Sequence, residues 1–199
     1  MYDSNSITRK IDSIISRYNT RDMMEAFDCV MELRENFGFS VPRNRKTMET
    51  IANWIGKREV LSIGSGRACM ESILKGLGVN IVCTDEVNIK DSFMDVETIS
   101  SKDASKKYKE REILFIGWAD YEKSHTAEAV ISMKPKYIIY VGEWQGGCCA
   151  DDQFFEILEE EYTELDKDEI VEEDVSFGTV LLNGINDGIL FFERDPEEE

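Results

Sequence analysis

From Lys57 onwards the chain alternates short apolar segments with segments of helical periodicity, and this alternation limits its fold more than any other feature. Strands are predicted at Glu59–Ile63, Asn80–Thr84, Phe93–Thr98, Ile113–Ile116 and Tyr137–Val141. Helices are predicted between and after them, at Cys69–Gly76, Lys102–Lys109, Ser124–Met133 and Asp151–Glu160. Such alternation builds a parallel sheet covered on both faces, and right-handed crossovers limit the topology to a doubly wound α/β sheet.

The C-terminal segments have a different character, which predicts antiparallel strands at one edge of the sheet. Apolar runs at Val180–Leu182 and Ile189–Glu193 flank the turn sequence Asn186-Asp187-Gly188. Tyr162–Val171 is a further predicted strand. We therefore expect a mostly parallel sheet whose last strands run antiparallel.

The first 56 residues predict a helical extension that packs on the sheet. Isoleucines recur at helical spacing within residues 7–15, and Thr20 is the predicted N-cap of a second helix that ends at Gly38. A third helix is predicted to end at Gly56. The expected organisation is a helical extension, an α/β domain and an acidic tail, at residues 1–56, 57–195 and 196–199.

The net charge of −18 lies almost entirely in the C-terminal quarter of the chain. Residues 151–199 hold 19 acidic and two basic side chains, whereas residues 1–150 carry a net charge of only −1. A broad nucleic-acid surface is excluded, because such surfaces need clustered Lys and Arg. The acidic quarter is either a solvated face or a docking surface for a basic protein partner.

The remaining composition predicts a cytoplasmic protein that does not enter a membrane. No apolar run is long enough to span a bilayer. The five cysteines, at positions 29, 69, 83, 148 and 149, form no CxxC pair, which favours reduced thiols. His125 is the single histidine, which argues against a His-rich zinc site, and no metal site is expected in this chain.

The most informative motif is a glycine loop between the first strand and its helix. The strand Glu59–Ile63 runs into Gly64-Ser65-Gly66, and the following helix N-terminus provides free N–H groups and a partial positive charge for a ligand. The next strand ends at Asp85, 19 residues past Gly66, where a carboxylate can accept both ribose hydroxyls of a nucleoside. This context predicts a nucleoside-binding crevice.

The spacing within the loop distinguishes between cofactors. A dinucleotide fingerprint needs glycine at the position of Cys69, which disfavours a nicotinamide-linked oxidoreductase. The loop instead resembles that of the class I S-adenosylmethionine-dependent methyltransferases, which runs acid-x-Gly-x-Gly-x-Gly. The three glycines of that pattern fall on Gly64, Gly66 and Ala68. Its leading acid, which in the family helps to hold the methionine end of the cofactor, falls on Ser62.

The resemblance extends over about residues 38–195, which look like a poorly characterised group of small methyltransferase-like Rossmann proteins. It is carried by Phe39–Pro42, Ile113–Tyr121 and Tyr140–Phe155, above all by Gly142-Glu143 followed by Gly146-Gly147. In that group the fourth strand tends to end Trp-Pro-Pro-Tyr, whereas this chain reads Trp118-Ala119-Asp120-Tyr121. The resemblance implies a Rossmann-like sheet and S-adenosylmethionine as cofactor.

Three loops are expected to converge at the carboxyl ends of the strands, where ligands bind in open α/β sheets: Gly64–Ala68, Gly117–Tyr121 and Gly142–Ala150. The implied cofactor-binding residues are Gly64, Ser65, Gly66 and Ala68 for the methionine portion, Asp85 for the ribose, and Trp118 for the adenine or the acceptor. The implied catalytic residues are Asp120 and Glu143, whose carboxylates can orient an amine or take a proton. Trp118 and Trp144 serve either as stacking platforms or as packing anchors.

Two functions remain open at this point. The first is a methyltransferase-like protein that acts on a small-molecule or protein acceptor. The second is a catalytically degenerate Rossmann module that binds a nucleoside or a partner without methyl transfer. Ser62, Ala68 and the absent prolines favour the second, because they depart from the methyltransferase pattern.

Overall fold

A seven-stranded sheet organises the residues that the computed structural model describes, which are 4–19, 21–42, 45–121, 125–144, 149–166, 170 and 187–196. The strands are β1 (Glu59–Ile63), β2 (Asn80–Asp85), β3 (Val96–Thr98), β4 (Ile113–Gly117), β5 (Tyr137–Glu143), β6 (Tyr162–Glu164) and β7 (Asp187–Arg194). The helices are α1 (Ser4–Ile15), α2 (Met23–Phe37), α3 (Arg45–Ile55), α4 (Cys69–Gly76), α5 (Ser101–Lys107), α6 (His125–Met133) and α7 (Asp152–Glu161).

The strand order is β3-β2-β1-β4-β5-β7-β6, which confirms the predicted doubly wound, mostly parallel sheet. The first five strands are parallel, and β7 inserts antiparallel between β5 and β6. In the register, Ser62 lies between Cys83 of β2 and Phe115 of β4. The chain winds outward from β1 in one direction and from β4 in the other, so the order reverses between these two strands.

Two apolar clusters cover the two faces of the sheet, because consecutive side chains of a strand point to opposite sides. Val60 joins one cluster and Leu61 the other. The first cluster includes buried side chains of α1, α2, α3 and α4, such as Ile11 and Ile51. The second includes those of α6 and α7, such as Val130 and Leu158. The N-terminal helices therefore contribute to the core of one face.

Several element ends differ from the sequence-based prediction for identifiable reasons. The N-cap of α2 is Asp22 rather than Thr20, because its Oδ1 accepts the N–H groups of Met24 and Glu25. The third strand begins at Val96 instead of Phe93, whose N–H donates to the Arg67 carbonyl. The predicted β-segment at residues 180–182 lies outside the described residues. Within the described part of the chain, no helix has the length and apolar character needed to cross a membrane.

Replacement of Ile11 by Ala tests whether α1 belongs to this core. Ile11 is 1% exposed, so the substitution is expected to lower the free energy of unfolding by about 2–5 kcal/mol. Urea unfolding should remain one transition. The control is Ile131→Ala, at a 51% exposed site, which should change the free energy of unfolding by less than about 0.5 kcal/mol. A separate early transition, or an Ile11→Ala loss as small as that of the control, would show that α1 is an independent appendage.

Candidate functional site

A crevice lies at the carboxyl ends of β1, β2 and β4, where the strand order reverses. It consists of two cavities that share Gly64, Gly117 and Trp118 in their walls. We call them the Asp85 cavity, of about 260 Å³, and the loop cavity, of about 290 Å³. Together they reach the range of roughly 300–1,000 Å³ that is typical of ligand pockets.

The glycine loop that separates the cavities depends on left-handed backbone conformations. Gly64 has φ +57° and Gly66 has φ +51°, and neither has an atom within 4 Å of the place where a Cβ would stand. Glycine is therefore favoured by the backbone conformation rather than by crowding. Ala68, at φ 54°, is in the same region and caps α4 without a side-chain hydrogen bond.

The loop amides are used within the protein. Ser65 N–H donates to the Thr84 carbonyl at 3.0 Å, and Ala68 N–H donates to the Ser65 carbonyl at 2.8 Å. Gly66 N–H donates to Asp85 Oδ2 at 2.9 Å. These three loop N–H groups are therefore not available to a ligand, because β2 accepts two of them and the turn accepts the third.

Asp85 both ties the loop and borders the Asp85 cavity. One carboxylate oxygen accepts Gly66 N–H, and the other accepts Val87 N–H at 2.9 Å. An ionised carboxylate has about four acceptor positions, so two remain for further donors. The predicted position of this side chain beside the crevice agrees with its place in the cavity wall.

The two cavities differ in charge. Three acidic side chains, Asp85, Glu86 and Asp120, line the Asp85 cavity, together with His125, whose Nε2 lies 3.5 Å from Glu86 Oε2. The described walls of the loop cavity contain no acid and two arginines, Arg34 and Arg67. The crevice therefore has an acidic end that suits hydroxyl or amine donors and a basic end that suits an anionic group.

Trp118 stands between the two cavities in an unusual backbone conformation. Its φ is +49°, and its N–H donates to the Val141 carbonyl at 2.7 Å, which holds the turn after β4. The Arg34 guanidinium lies 4.4 Å from the centre of the indole ring, and the Phe39 ring lies 6.0 Å away. A cation over an aromatic face is favourable, so α2 and the segment after it close the crevice from the side of the N-terminal helices.

The predicted acceptor-side residues do not all reach the crevice. Asp120 is exposed in the wall of the Asp85 cavity, whereas Glu143, at the end of β5, lines neither cavity. Trp144 is a packing anchor, with its ring 5.0 Å from that of Phe155 and 5.5 Å from that of Phe192. Gly146, Gly147 and Cys148 lie outside the described residues.

Behind the loop lies a buried polar group that the sequence-based prediction missed. Ser62 Oγ donates to Glu71 Oε1 at 2.7 Å, and Ser65 Oγ donates to Ser62 Oγ at 2.8 Å. Burial raises the pKa of the Glu71 carboxyl to about 7, against the opposing effect of the Ser62 hydrogen bond. The available signal was a single acid within the otherwise uncharged helical segment 69–74. For Arg34 no local signal existed, because only packing brings α2 to the crevice.

The sheet order with its antiparallel C-terminal pair, the glycine loop after β1 and the acid at the end of β2 define a doubly wound, Rossmann-like α/β fold. In the residues that the structure describes, no group of three or more potential ligands could hold a metal ion.

Comparisons with known proteins give structural similarity only, at low sequence identity. No family model and no curated protein matches the chain. A methyltransferase from Archaeoglobus fulgidus, described as S-adenosylmethionine-dependent, has a similar structure at 15% identity and a TM-score of 0.48, over 82% of this chain and 98% of that one. A point mutant of MtNAS in complex with S-adenosylmethionine is similar at 11% identity and a TM-score of 0.45, over 98% of this chain and 93% of that one. A Thermoplasma acidophilum protein is similar at 11% identity and a TM-score of 0.44, over the full length of both chains.

Proposed function

We propose that this protein binds S-adenosylmethionine in the two-part crevice and transfers its methyl group to a small-molecule or protein acceptor. The observation that carries the proposal is the charge difference between two adjoining cavities at the reversal of strand order. A nucleoside that bears an amino acid has hydroxyls at one end and a carboxylate at the other, so its polarity matches that of the crevice.

The adenosine portion is assigned to the Asp85 cavity. The two acceptor positions that Asp85 keeps after binding the Gly66 and Val87 amides suit the two hydroxyls of a ribose. Trp118 lies in the same wall and offers an aromatic ring for the adenine. Gly64, exposed and without a side chain, lets the ligand pass from one cavity to the other.

The methionine portion is assigned to the loop cavity. Ser65, Gly66 and Ala68 form one wall of this cavity, and Arg34 lies in the wall formed by the N-terminal helices. A guanidinium pairs well with a carboxylate, so Arg34 is our candidate for the carboxylate of the amino acid. Arg67 is less suited, because its Nε and Nη1 already donate to the Asp91 and Glu35 carbonyls.

Bound S-adenosylmethionine supplies an electrophilic methyl group on a positively charged sulfur. The protein then needs to hold an acceptor in line with that methyl group and to take a proton where the acceptor must lose one. Asp120 is exposed at the rim of the Asp85 cavity and is our first candidate for this base. Glu143 is the second, although it lines neither cavity in this structure.

The role of Asp85 is tested by a cycle of ligand and protein changes. Removing the ribose 2′-hydroxyl from S-adenosylhomocysteine should weaken binding to the unaltered protein about tenfold in calorimetry, because one hydrogen bond to a charged group is lost. With Asp85→Ala, both ligands should bind weakly and equally. Glu156→Ala, an exposed acid on α7, serves as the control and should keep the tenfold difference. A tenfold difference that survives in Asp85→Ala would place the ribose elsewhere.

The role of Arg34 is tested with a ligand that lacks the amino acid. Arg34→Ala should weaken S-adenosylhomocysteine about tenfold, because the carboxylate loses a charged partner. Binding of 5′-methylthioadenosine, which has neither carboxylate nor amine, should be unchanged within about twofold. Arg34→Lys should recover part of the lost affinity. Equal losses for both ligands in Arg34→Ala would mean that the guanidinium acts only by packing on Trp118.

A module without turnover is the second candidate function. It is favoured by the paired loop amides and by the absence of Glu143 from the walls of both cavities, since both reduce the groups available to a ligand or an acceptor. It predicts nucleoside binding without methyl transfer. The experiment adds the protein and methyl-labelled S-adenosylmethionine to a pool of small-molecule and protein acceptors. The first function predicts that labelled methyl groups are incorporated into an acceptor. Asp85→Ala is the matched control. Incorporation that requires Asp85 would exclude the module.

A further inference from the structure

The Glu71 side chain carries a carboxyl group but is buried next to apolar core residues. Its side chain is 3% exposed, and its helix neighbours Met70, Ile73 and Leu74 belong to the core. Its Oε2 atom is buried without a hydrogen-bond partner, and the described residues give it no cationic partner. Burying a carboxyl group in this way is costly, so its retention needs an explanation beyond packing.

A chain of hydrogen bonds connects this carboxyl group to the crevice. Thr84 N–H donates to Ser65 Oγ, Ser65 Oγ donates to Ser62 Oγ, and Ser62 Oγ donates to Glu71 Oε1, at 3.2, 2.8 and 2.7 Å. The Ser65 hydroxyl also lies 3.3 Å from the Ser62 carbonyl, and when it donates to Ser62 Oγ all the donors point toward the carboxylate. Ser65 is also part of the wall of the loop cavity, so the chain passes through a residue that borders the place assigned to the cofactor.

The loop cavity lacks the negative charge that a zwitterionic amino acid needs. Its described walls contain two arginines and no acid, which suits a carboxylate but leaves an ammonium group without a partner. Ser62, which occupies the place of the acid in the resembling loop, is neutral. Glu71 brings a carboxylate to Ser62 from the next helix, on the side of the loop away from the ligand.

We propose that Glu71 is a positioning residue, which in its ionised form orders the glycine loop through Ser62 and Ser65 and supplies from behind the loop the negative charge that Ser62 lacks. The part that concerns cofactor binding rests on the proposed function, whereas the coupling between Glu71 and the loop does not. The ionised form accepts from Ser62 and keeps every donor of the chain satisfied. A proton on Oε1 would reverse the Ser62 hydroxyl, and a proton on Oε2 would have no acceptor.

The charge of Glu71 changes in an accessible pH range, because burial holds the pKa of its carboxyl near 7. The folded protein therefore binds a proton that the unfolded chain has released, so stability falls as pH rises from about 4.5 to about 7. Ligand affinity is expected to change in the opposite direction, because only the ionised form carries the charge.

The other ionisable groups around Glu71 differ from it in their surroundings. The thiols of Cys69 and Cys83 feel its charge, and burial raises the pKa of each well above its ordinary value. Lys75 of α4 acts on Cys83 rather than on Glu71. The helices α1 and α3 pack against α4, and their ionisable groups are either exposed or paired. In α3, Lys46 is exposed and Arg45 pairs with Glu49. The ionisable groups of α1 are all exposed: Arg9, Lys10 and Asp12.

The coupling is tested without any ligand by following the amide resonances of Ser65 and Gly66 between pH 5 and 9. In the unaltered protein both should shift with a midpoint of about 7. The shift should vanish in Glu71→Gln, which keeps the shape and removes the charge, and in Ser62→Ala, which keeps Glu71 and breaks the chain. Glu97→Gln, at an acid whose pKa is lowered by Lys107 and Tyr108, should leave the titration intact.

Stability and binding measurements distinguish this role from a structural one. Relative to the melting temperature of Glu71→Gln, that of the unaltered protein should fall between pH 5 and pH 8, whereas a residue needed only for structure would give a difference that does not change with pH. S-adenosylmethionine affinity, measured by calorimetry, should rise at least about fivefold from pH 6 to pH 8 and be flat and weak in Glu71→Gln.

The inference is overturned if the resonances do not titrate in the unaltered protein. It is also overturned if they titrate in Glu71→Gln and Ser62→Ala as they do in the unaltered protein. If the loop titrates as expected but neither S-adenosylmethionine nor S-adenosylhomocysteine binds at any pH, the proposed function is wrong and the coupling stands. If both ligands bind with an affinity that is independent of pH, the proposed function stands and the role of Glu71 in binding is overturned.

Discussion

The hydrogen bond from Gly66 N–H to Asp85 Oδ2 joins the glycine loop to the end of β2, and the shape of the crevice depends on it. The left-handed φ of Gly66 turns its amide toward the carboxylate, and a hydrogen bond to a charged acceptor is stronger than one between neutral groups. Ser65 strengthens the same connection, since its N–H and its Oγ both bond to the backbone of Thr84. The loop is thereby held as a partition between the Asp85 cavity and the loop cavity.

In this arrangement the N–H groups of Ser65, Gly66 and Ala68 form hydrogen bonds within the protein. Under the proposed function, side chains recognise the ligand: the remaining acceptor positions of Asp85 on one side and the Arg34 guanidinium on the other. The same reasoning explains why charge matters behind the loop. A buried carboxylate such as Glu71 lowers stability when it ionises, and the role that we propose for its charge would account for its presence.

Much of the backbone was predictable, because local periodicity and turn chemistry encode it. The bounds of β1 and α4 agree with the prediction, since an apolar strand, two glycines and a helix follow one another without interruption. The ends of α2 and β3 were less predictable. Asp22 and Thr20 are both good caps, and the backbone bond from Phe93 to Arg67 joins segments that are distant in sequence.

The sequence by itself determined the order of strands and helices, the position of the glycine loop and the placement of Asp85 at the end of the next strand. These follow from patterns within one strand–helix–strand unit, whose geometry is local. Only the tertiary structure decided which side chains meet at the crevice. It brought Arg34 from α2 to Trp118, placed Trp144 among core aromatic rings, and put Glu71 beneath Ser62. Such meetings depend on how separate elements pack, and no spacing along the chain encodes that.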